Sequence, residues 1–350
     1  MTFNFYKNKK VFLTGHTGFK GTWLCRVLLQ AGAEVTGYAL EPLTTPSLFF
    51  QTKTENNICS ITGDIRNRDA LVKAIQEATP EIVFHLAAQP LVRRSYLEPA
   101  LTYETNVMGT VNILEAVRLA PSVKSFINVT TDKVYENKEW HWGYRENENL
   151  CGFDPYSNSK SCSDLVTHSY RNSFFCDKDS PAISTARSGN VIGGGDYADD
   201  RIIPDCVRAA IAGKDIVVRN PSSIRPYQHV LDCLSGYLLL AEKQYLDKKL
   251  EGAYNFGPDD ESCITTGKLA DFFCNAWGSG AAWQVQEDGG PHEANFLKLD
   301  CSKAKAVLDW KSRWDIKKAV EKTVEFVKIK PDEEKVNCID RQITEYFYNT

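Results

Sequence analysis

Through the first two-thirds of the chain, short apolar runs alternate with longer stretches whose apolar positions recur every three or four residues. Lys10-Val11-Phe12-Leu13-Thr14 opens the pattern and predicts a buried strand. Residues 18–31 follow with Phe19, Trp23, Leu24, Val27 and Leu28 at helical spacing. Further strands are predicted over Glu34–Ala39 and over 58–62, 81–86, 125–130 and 182–187. Long helices are predicted over 98–118 and 156–176, each preceding one of the last two strands. Strand and helix in this regular alternation imply an α/β fold, with a Rossmann-type doubly wound parallel sheet covered on both faces.

Beyond residue 188 the rhythm changes. Gly193-Gly194-Gly195-Asp196 and Arg225-Pro226-Tyr227 mark loops between shorter helices, and 252–257 reads as a strand that could return to the main sheet. Helices are predicted near 302–309, 315–328 and after Pro331. The expected organisation is a nucleotide-binding domain over 1–187 and a smaller, interwoven, mainly substrate-binding domain over 188–350. A chain of 350 residues is long enough for that division.

Composition narrows the classes. The chain carries 41 Lys+Arg against 45 Asp+Glu, a net charge of −4, so the basic face of a nucleic-acid binder is not expected. No uncharged apolar run reaches the ~20 residues that span a bilayer, so no membrane association is expected. The first ten residues hold no apolar export core, which points to a cytoplasmic protein. Eleven cysteines fall without metal-type spacing, so neither a metal site nor a disulfide framework is expected.

Gly15-His16-Thr17-Gly18-Phe19-Lys20-Gly21 directly follows the first strand and opens the first helix. Glycines there permit a tight turn and close approach of backbone to a pyrophosphate, which the helix N-terminus then favours. The spacing is Gly-x-x-Gly-x-x-Gly, and the strand before and helix after separate it from an ordinary glycine-rich turn. Asp64 after the third strand is either an acceptor for an adenine amino group or the N-cap of a helix over 67–78. The second strand ends at Ala39 without a carboxylate for the adenosine ribose; Glu41 comes two residues later. NAD over NADP is the expectation, and the bulk of His16 and Phe19 in the loop suggests that it is held weakly.

Tyr156 and Lys160 stand four residues apart on one predicted helical face, where an ammonium favours the phenolate. Tyr6/Lys10 and Tyr245/Lys249 share that spacing but lack a place in a nucleotide-binding fold. The fifth strand ends in Thr131-Asp132-Lys133, and strand C-termini are where open α/β sheets bind ligands. Those residues therefore supply a hydroxyl, an acid and a base to one site, or form an ion pair at a strand end.

These motifs resemble the extended short-chain dehydrogenase/reductase family along essentially the whole chain. They comprise 15–21, Asp64-Ile65, Leu86-Ala87-Ala88-Gln89, Asn106-Val107-Met108-Gly109-Thr110, Thr131, Tyr156/Lys160 and Asp300-Cys301-Ser302-Lys303-Ala304, in the expected order. Thr131-Asp132-Lys133 is similar to the nucleotide-sugar 4,6-dehydratases, most of which carry Thr-Asp-Glu. Lysine in the third place, with 15–21, 89–96 and 225–230, resembles the branch that acts on CDP-glucose. The resemblance implies bound NAD, with Gly15, His16, Gly18, Phe19, Gly21, Asp64, Ile65, Leu86, Ala87, Ala88, Asn106, Tyr156 and Lys160 around it. It implies catalysis by Thr131, Asp132, Lys133, Tyr156 and Lys160. Gln89, Asn190, Arg201, Arg219 and Arg225 become substrate ligands, against an ordinary surface charge for each arginine. It also implies a homodimer or homotetramer paired through the 98–118 and 156–176 helices. A nucleotide-sugar 4-epimerase and a redox-inactive NAD(P)-sensing protein are the competing readings. The first needs Tyr156 but not Asp132 and Lys133, and the second needs no turnover at all.

Overall fold

The computed structural model describes residues 3–286 and 295–348. Seven parallel strands form the central sheet: β1 (Lys10–Thr14), β2 (Glu34–Ala39), β3 (Cys59–Thr62), β4 (Ile82–His85), β5 (Ser125–Val129), β6 (Ala182–Ser188) and Ala253–Phe256. Their spatial order is β3-β2-β1-β4-β5-β6 with Ala253–Phe256 outermost beside β6. The order reverses between β1 and β4, where Thr14 lies opposite His85.

Strand residues alternate between two cores, as a pleat of period two requires. Val11, Leu13, Phe84 and Ile127 enter the core beneath the Phe19–Gln30, Val230–Leu246 and Lys335–Tyr348 helices. Phe12, Val83, Phe126 and Ile183 enter the opposite one, beneath the Arg68–Ala78, Gly109–Arg118 and Pro155–Phe174 helices. Both β5 and β6 are buried along their whole length, although Ser125, Asn128, Ser184, Thr185 and Arg187 stand among their residues.

A third core sits under the second lobe. It gathers Ile203, Ile216, Tyr227, Leu269, Phe273 and Val320 from the Ile202–Ile211, Thr266–Trp277 and Ile316–Lys328 helices and the short strands among them. No single cut separates the lobes. The chain leaves the sheet after β6, returns for Val230–Leu246 and Ala253–Phe256, leaves again, and ends on the sheet side, where Arg26 pairs with Asp340 at 2.5 Å.

The helical stretch expected over 98–118 is broken into Pro99–Tyr103, a π-turn at Glu104–Met108 and Gly109–Arg118. Its apolar surplus is also smaller than the sequence suggests. Leu114 is fully buried and Val166 packs against the sheet core, which leaves Tyr103, Met108 and Leu165 exposed. Among the described residues, no helix is long and apolar enough to cross a membrane.

Candidate active site

A cleft of about 1920 Å³ opens over the C-terminal ends of β1, β4, β5 and β6 and extends under the second lobe. That exceeds the ~300–1000 Å³ of a pocket for one drug-sized molecule, and it leaves room for two nucleotide-sized ones. Its wall includes Gly15, Gly18, Phe19, Gly21, Asp64, Ile65, Leu86, Ala87, Ala88, Gln89, Thr131, Asp132, Lys133, Tyr156 and Lys160. Asn190, Arg201, Arg219 and Arg225 line it from the other lobe.

The glycines of the first loop have different reasons. Gly15 has φ of +76°, and a Cβ there would stand 2.7 Å from the Ala87 nitrogen. At Gly21 a Cβ would meet the Gly15 carbonyl oxygen at 2.1 Å, so helix and strand could not close. Gly18 has ordinary φ of −79°, and its nearest protein neighbour would be 3.5 Å away. Nothing in the protein demands a glycine there; the bare backbone faces the cleft at a helix N-terminus. That is the cradle a dinucleotide pyrophosphate needs, and the residues present fit NAD.

Two expected cofactor residues lie behind the wall instead. His16 is fully buried beneath β2, where its ring occupies the space a Gly37 side chain would take, and its Nε2 meets the Ser60 hydroxyl at 2.7 Å. Burial pushes its pKa down to about 4, so the ring is neutral. Its bulk is thus directed away from the cofactor groove, which removes one ground for weak retention. Asn106, in the π-turn, clamps the Gln89 backbone from both sides, at 2.8 and 3.1 Å, and donates to the Ser159 hydroxyl at 2.9 Å. It holds the wall without reaching the cleft.

Asp64 is not the N-cap of the next helix; Asn67 is, and it accepts from the Ala70 amide. The Asp64 carboxylate pairs with Arg66 at 2.6 Å, and that partner lowers its pKa. Glu41 lines the cleft and accepts from Thr62 at 2.8 Å. Gln89 spends its amide on Leu91 and Thr102 and braces the loop after β4.

Asp154 caps the Pro155–Phe174 helix, accepting from the Ser157 amide at 2.9 Å, and Pro155 occupies its first turn. The helix projects Tyr156 and Lys160 onto the end of β5. Tyr156 stands beside the Thr131 hydroxyl, which favours its phenolate, and Thr131 donates to Asp132 Oδ1 at 2.9 Å. The expected effect of Lys160 on the phenol is not what the chain alone produces. Burial raises the Tyr156 pKa to about 12, against the Thr131 hydroxyl and the Arg201 charge. Lys160 meanwhile donates to the Val129 carbonyl at 3.0 Å, and burial, then Lys20, lowers its pKa to about 8.

Asp132 is almost fully buried, and its Oδ2 has no hydrogen-bond partner. A Cβ on Gly189 would stand 2.6 Å from Pro226 and 3.0 Å from that oxygen, so the glycine lets the end of β6 pack closely against it. Lys133 follows in the same short 3-10 turn, and its ammonium makes no hydrogen bond among the described residues. Arg201 pairs with Asp196 at 2.8 Å and Arg219 with Asp200 at 3.2 Å, while Arg225 is buried and donates to the Ile224 carbonyl. Among the described residues no His, Cys, Asp and Glu cluster is arranged to hold a metal ion.

A polar chain inside the sheet went unread in the sequence. Thr14 accepts from the Leu86 and Ala87 amides and meets His85 Nδ1 at 2.8 Å. His85 Nε2 reaches Thr110, which bonds Ser163. Burial, then the Lys160 charge, pushes the His85 pKa down to about 3, so this buried ring is a neutral brace. Its only sequence signal is a polar residue at strand positions that should be apolar.

A family model described as GDP-mannose 4,6 dehydratase matches residues 12–323. CDP-glucose 4,6-dehydratase of Salmonella typhimurium is 47% identical, over 99% of this chain and 98% of that protein. dTDP-glucose 4,6-dehydratase of Bacillus anthracis, solved in complex with NAD, has a TM-score of 0.77 at 22% identity, covering 94% of this chain and 99% of that one. UDP-glucose 4-epimerase of Thermus thermophilus, also with NAD, has a TM-score of 0.79 at 23% identity, covering 92% and 99%. The last two speak for the fold. On the family match and the near-complete relationship to the Salmonella protein, the chain belongs to the GDP-mannose 4,6 dehydratase family.

Proposed function

We propose that the chain is an NAD-dependent CDP-glucose 4,6-dehydratase, which converts CDP-D-glucose to CDP-4-keto-6-deoxy-D-glucose. The observation that carries this is the meeting of Tyr156, Thr131 and the unpartnered Asp132 carboxylate oxygen in one cleft, in a chain 47% identical to a CDP-glucose 4,6-dehydratase. Gly15, Gly18, Gly21, Ile65 and residues 86–88 would hold the cofactor. Bound NAD supplies the hydride acceptor at sugar C4 and the hydride returned at C6.

Tyr156, beside Thr131 on the cleft wall, takes the O4 proton. Because burial favours the phenol, the phenolate needs a cation nearby, and Lys160 stands one turn along the same helix. A 4-keto group acidifies C5, and Lys133, whose ammonium makes no hydrogen bond among the described residues, is the base that collects that proton. Asp132, on the same cleft wall, gives its proton to the departing O6 as water. Arg225, Arg201, Arg219 and Asn190 face the nucleotide diphosphate from the second lobe, where guanidinium forks suit phosphate oxygens.

We propose a homodimer or homotetramer paired through the 98–118 and 156–176 stretches, where exposed Met108 and Leu165 support a face between copies. The competing 4-epimerase reading leaves Asp132 and Lys133 without a task. A panel of CDP-, dTDP-, GDP- and UDP-sugars, each assayed in deuterated water, tests the assignment. The expected result is a 4-keto product from CDP-glucose alone, with solvent deuterium at C5. A C4-inverted product without deuterium at C5 would refute it.

A further inference from the structure

Lys20 is the second residue of the Phe19–Gln30 helix, between Gly18 and Gly21, on a helix whose buried residues are otherwise uncharged. Its side chain lines the cleft and crosses the cleft floor to the end of β6. There its ammonium donates to the Ser188 hydroxyl at 3.1 Å and the Tyr237 hydroxyl at 3.3 Å. Those two hydroxyls already bond each other at 2.5 Å. Among the described residues no carboxylate forms an ion pair with Lys20, although Asp132 and Asp196 lie within its field, as does Arg201. Lys160 feels the Lys20 charge from the Tyr156 side.

This cation therefore bridges the two ends of the cofactor's path. It starts in the loop that cradles pyrophosphate and ends among the strand termini that carry Thr131 and Asp132. Any dinucleotide running from Gly18 to the site where Tyr156 works passes beside it. Oxidised nicotinamide carries a positive charge and reduced nicotinamide does not.

We infer that Lys20 disfavours the oxidised cofactor relative to the reduced one, and so biases the bound couple toward the hydride-carrying form. The inference rests on the dinucleotide reading of the cleft. It also has a use in the proposed cycle, because water is eliminated only while C4 is oxidised and the cofactor holds the hydride. A cation that favours that stage keeps the sugar in its 4-keto form through the elimination.

The test is equilibrium binding, measured by calorimetry with NAD+ and NADH separately, on the full-length wild type and on Lys20→Gln, Lys20→Met and Lys20→Arg. The two uncharged variants should lower the ratio Kd(NAD+)/Kd(NADH) about tenfold, mainly through tighter NAD+. For a two-electron couple that ratio change is about 30 mV, toward a more negative potential. Lys20→Arg, which keeps the charge, should keep the ratio. Tyr237→Phe, which removes a partner but not the charge, should keep it too. Parallel weakening of both forms in the uncharged variants would mean that Lys20 is a brace or a pyrophosphate ligand, and would overturn the inference. An unchanged ratio would overturn it as well. A wild type that binds neither form would overturn the dinucleotide reading itself, and this inference with it.

Discussion

Asp132→Asn separates the two halves of the proposed chemistry with little disturbance of the fold. The Thr131 hydroxyl donates to Asp132 Oδ1, and an asparagine oxygen can accept that bond. The new amide nitrogen would take the place of Oδ2, which has no hydrogen-bond partner among the described residues. What disappears is the proton for the leaving O6. Loss of one positioned acid typically lowers a rate ~100–10,000-fold, equivalent to about 3–5 kcal/mol of barrier. Steady-state turnover should fall by that factor. The oxidation at C4 asks nothing of Asp132, so NADH should still form in a single turnover with CDP-glucose and then persist. Lys133→Met should behave the same way, since the C5 proton would lack its base. Tyr156→Phe should give no NADH signal, because O4 could not lose its proton. Nicotinamide absorbance in a stopped-flow single turnover reads all three. If the signal vanishes equally in all three variants, Asp132 and Lys133 serve the oxidation or only shape the strand end, and the division of roles is wrong.

Three other outcomes follow from the packing. Asp164 holds Arg187 through two bonds of 2.8 and 2.9 Å with both side chains buried, so Asp164→Ala should cost about 3–5 kcal/mol, seen as a lower midpoint in denaturant unfolding. Burial lifts the Asp232 pKa from 3.8 to about 6, so the folded state holds a proton that the unfolded chain releases. Stability should then decline as pH rises from about 4 to about 6, by up to about 3 kcal/mol, and Asp232→Asn should remove that decline in thermal unfolding. Leu165→Glu on the exposed helix face should leave the thermal midpoint nearly unchanged yet shift sedimentation toward monomer at micromolar concentration; a wild type that is already monomeric sinks the assembly claim.

What the sequence conveys here depends on whether a residue's task is set by its neighbours along the chain. The parallel sheet was legible because short strand-like runs alternate with longer stretches at helical spacing, and strand and helix in that order build a parallel sheet covered on both faces. Gly15 and Gly21 were legible for the same local reason, since strand, turn and helix follow within seven residues. Side-chain direction was not. His16 lies in that loop and yet points under β2, because Gly37, far along the chain, leaves a hole there. Asn106 belongs to a motif expected at the cofactor, and a π-turn rotates it onto the Gln89 backbone.

Electrostatics were the least legible, because they sum over the whole fold. A tyrosine and a lysine four residues apart suggest a lowered phenol pKa, but burial dominates and the lysine bonds a carbonyl of β5. Lys20 shows the converse. In the sequence it only interrupts an apolar stripe; its meaning comes from Ser188 and Tyr237, more than 160 residues away, which fix its charge over the cleft floor. Lys160 adds a second cation at the β5 end of the same cleft, while Arg201 from the other lobe is tied to Asp196. By the inference above, the Lys20 charge favours a diphosphate and opposes the oxidised nicotinamide. On this argument affinity for the sugar nucleotide and affinity for NAD+ are in tension at one site, and relief of either should be felt by the other.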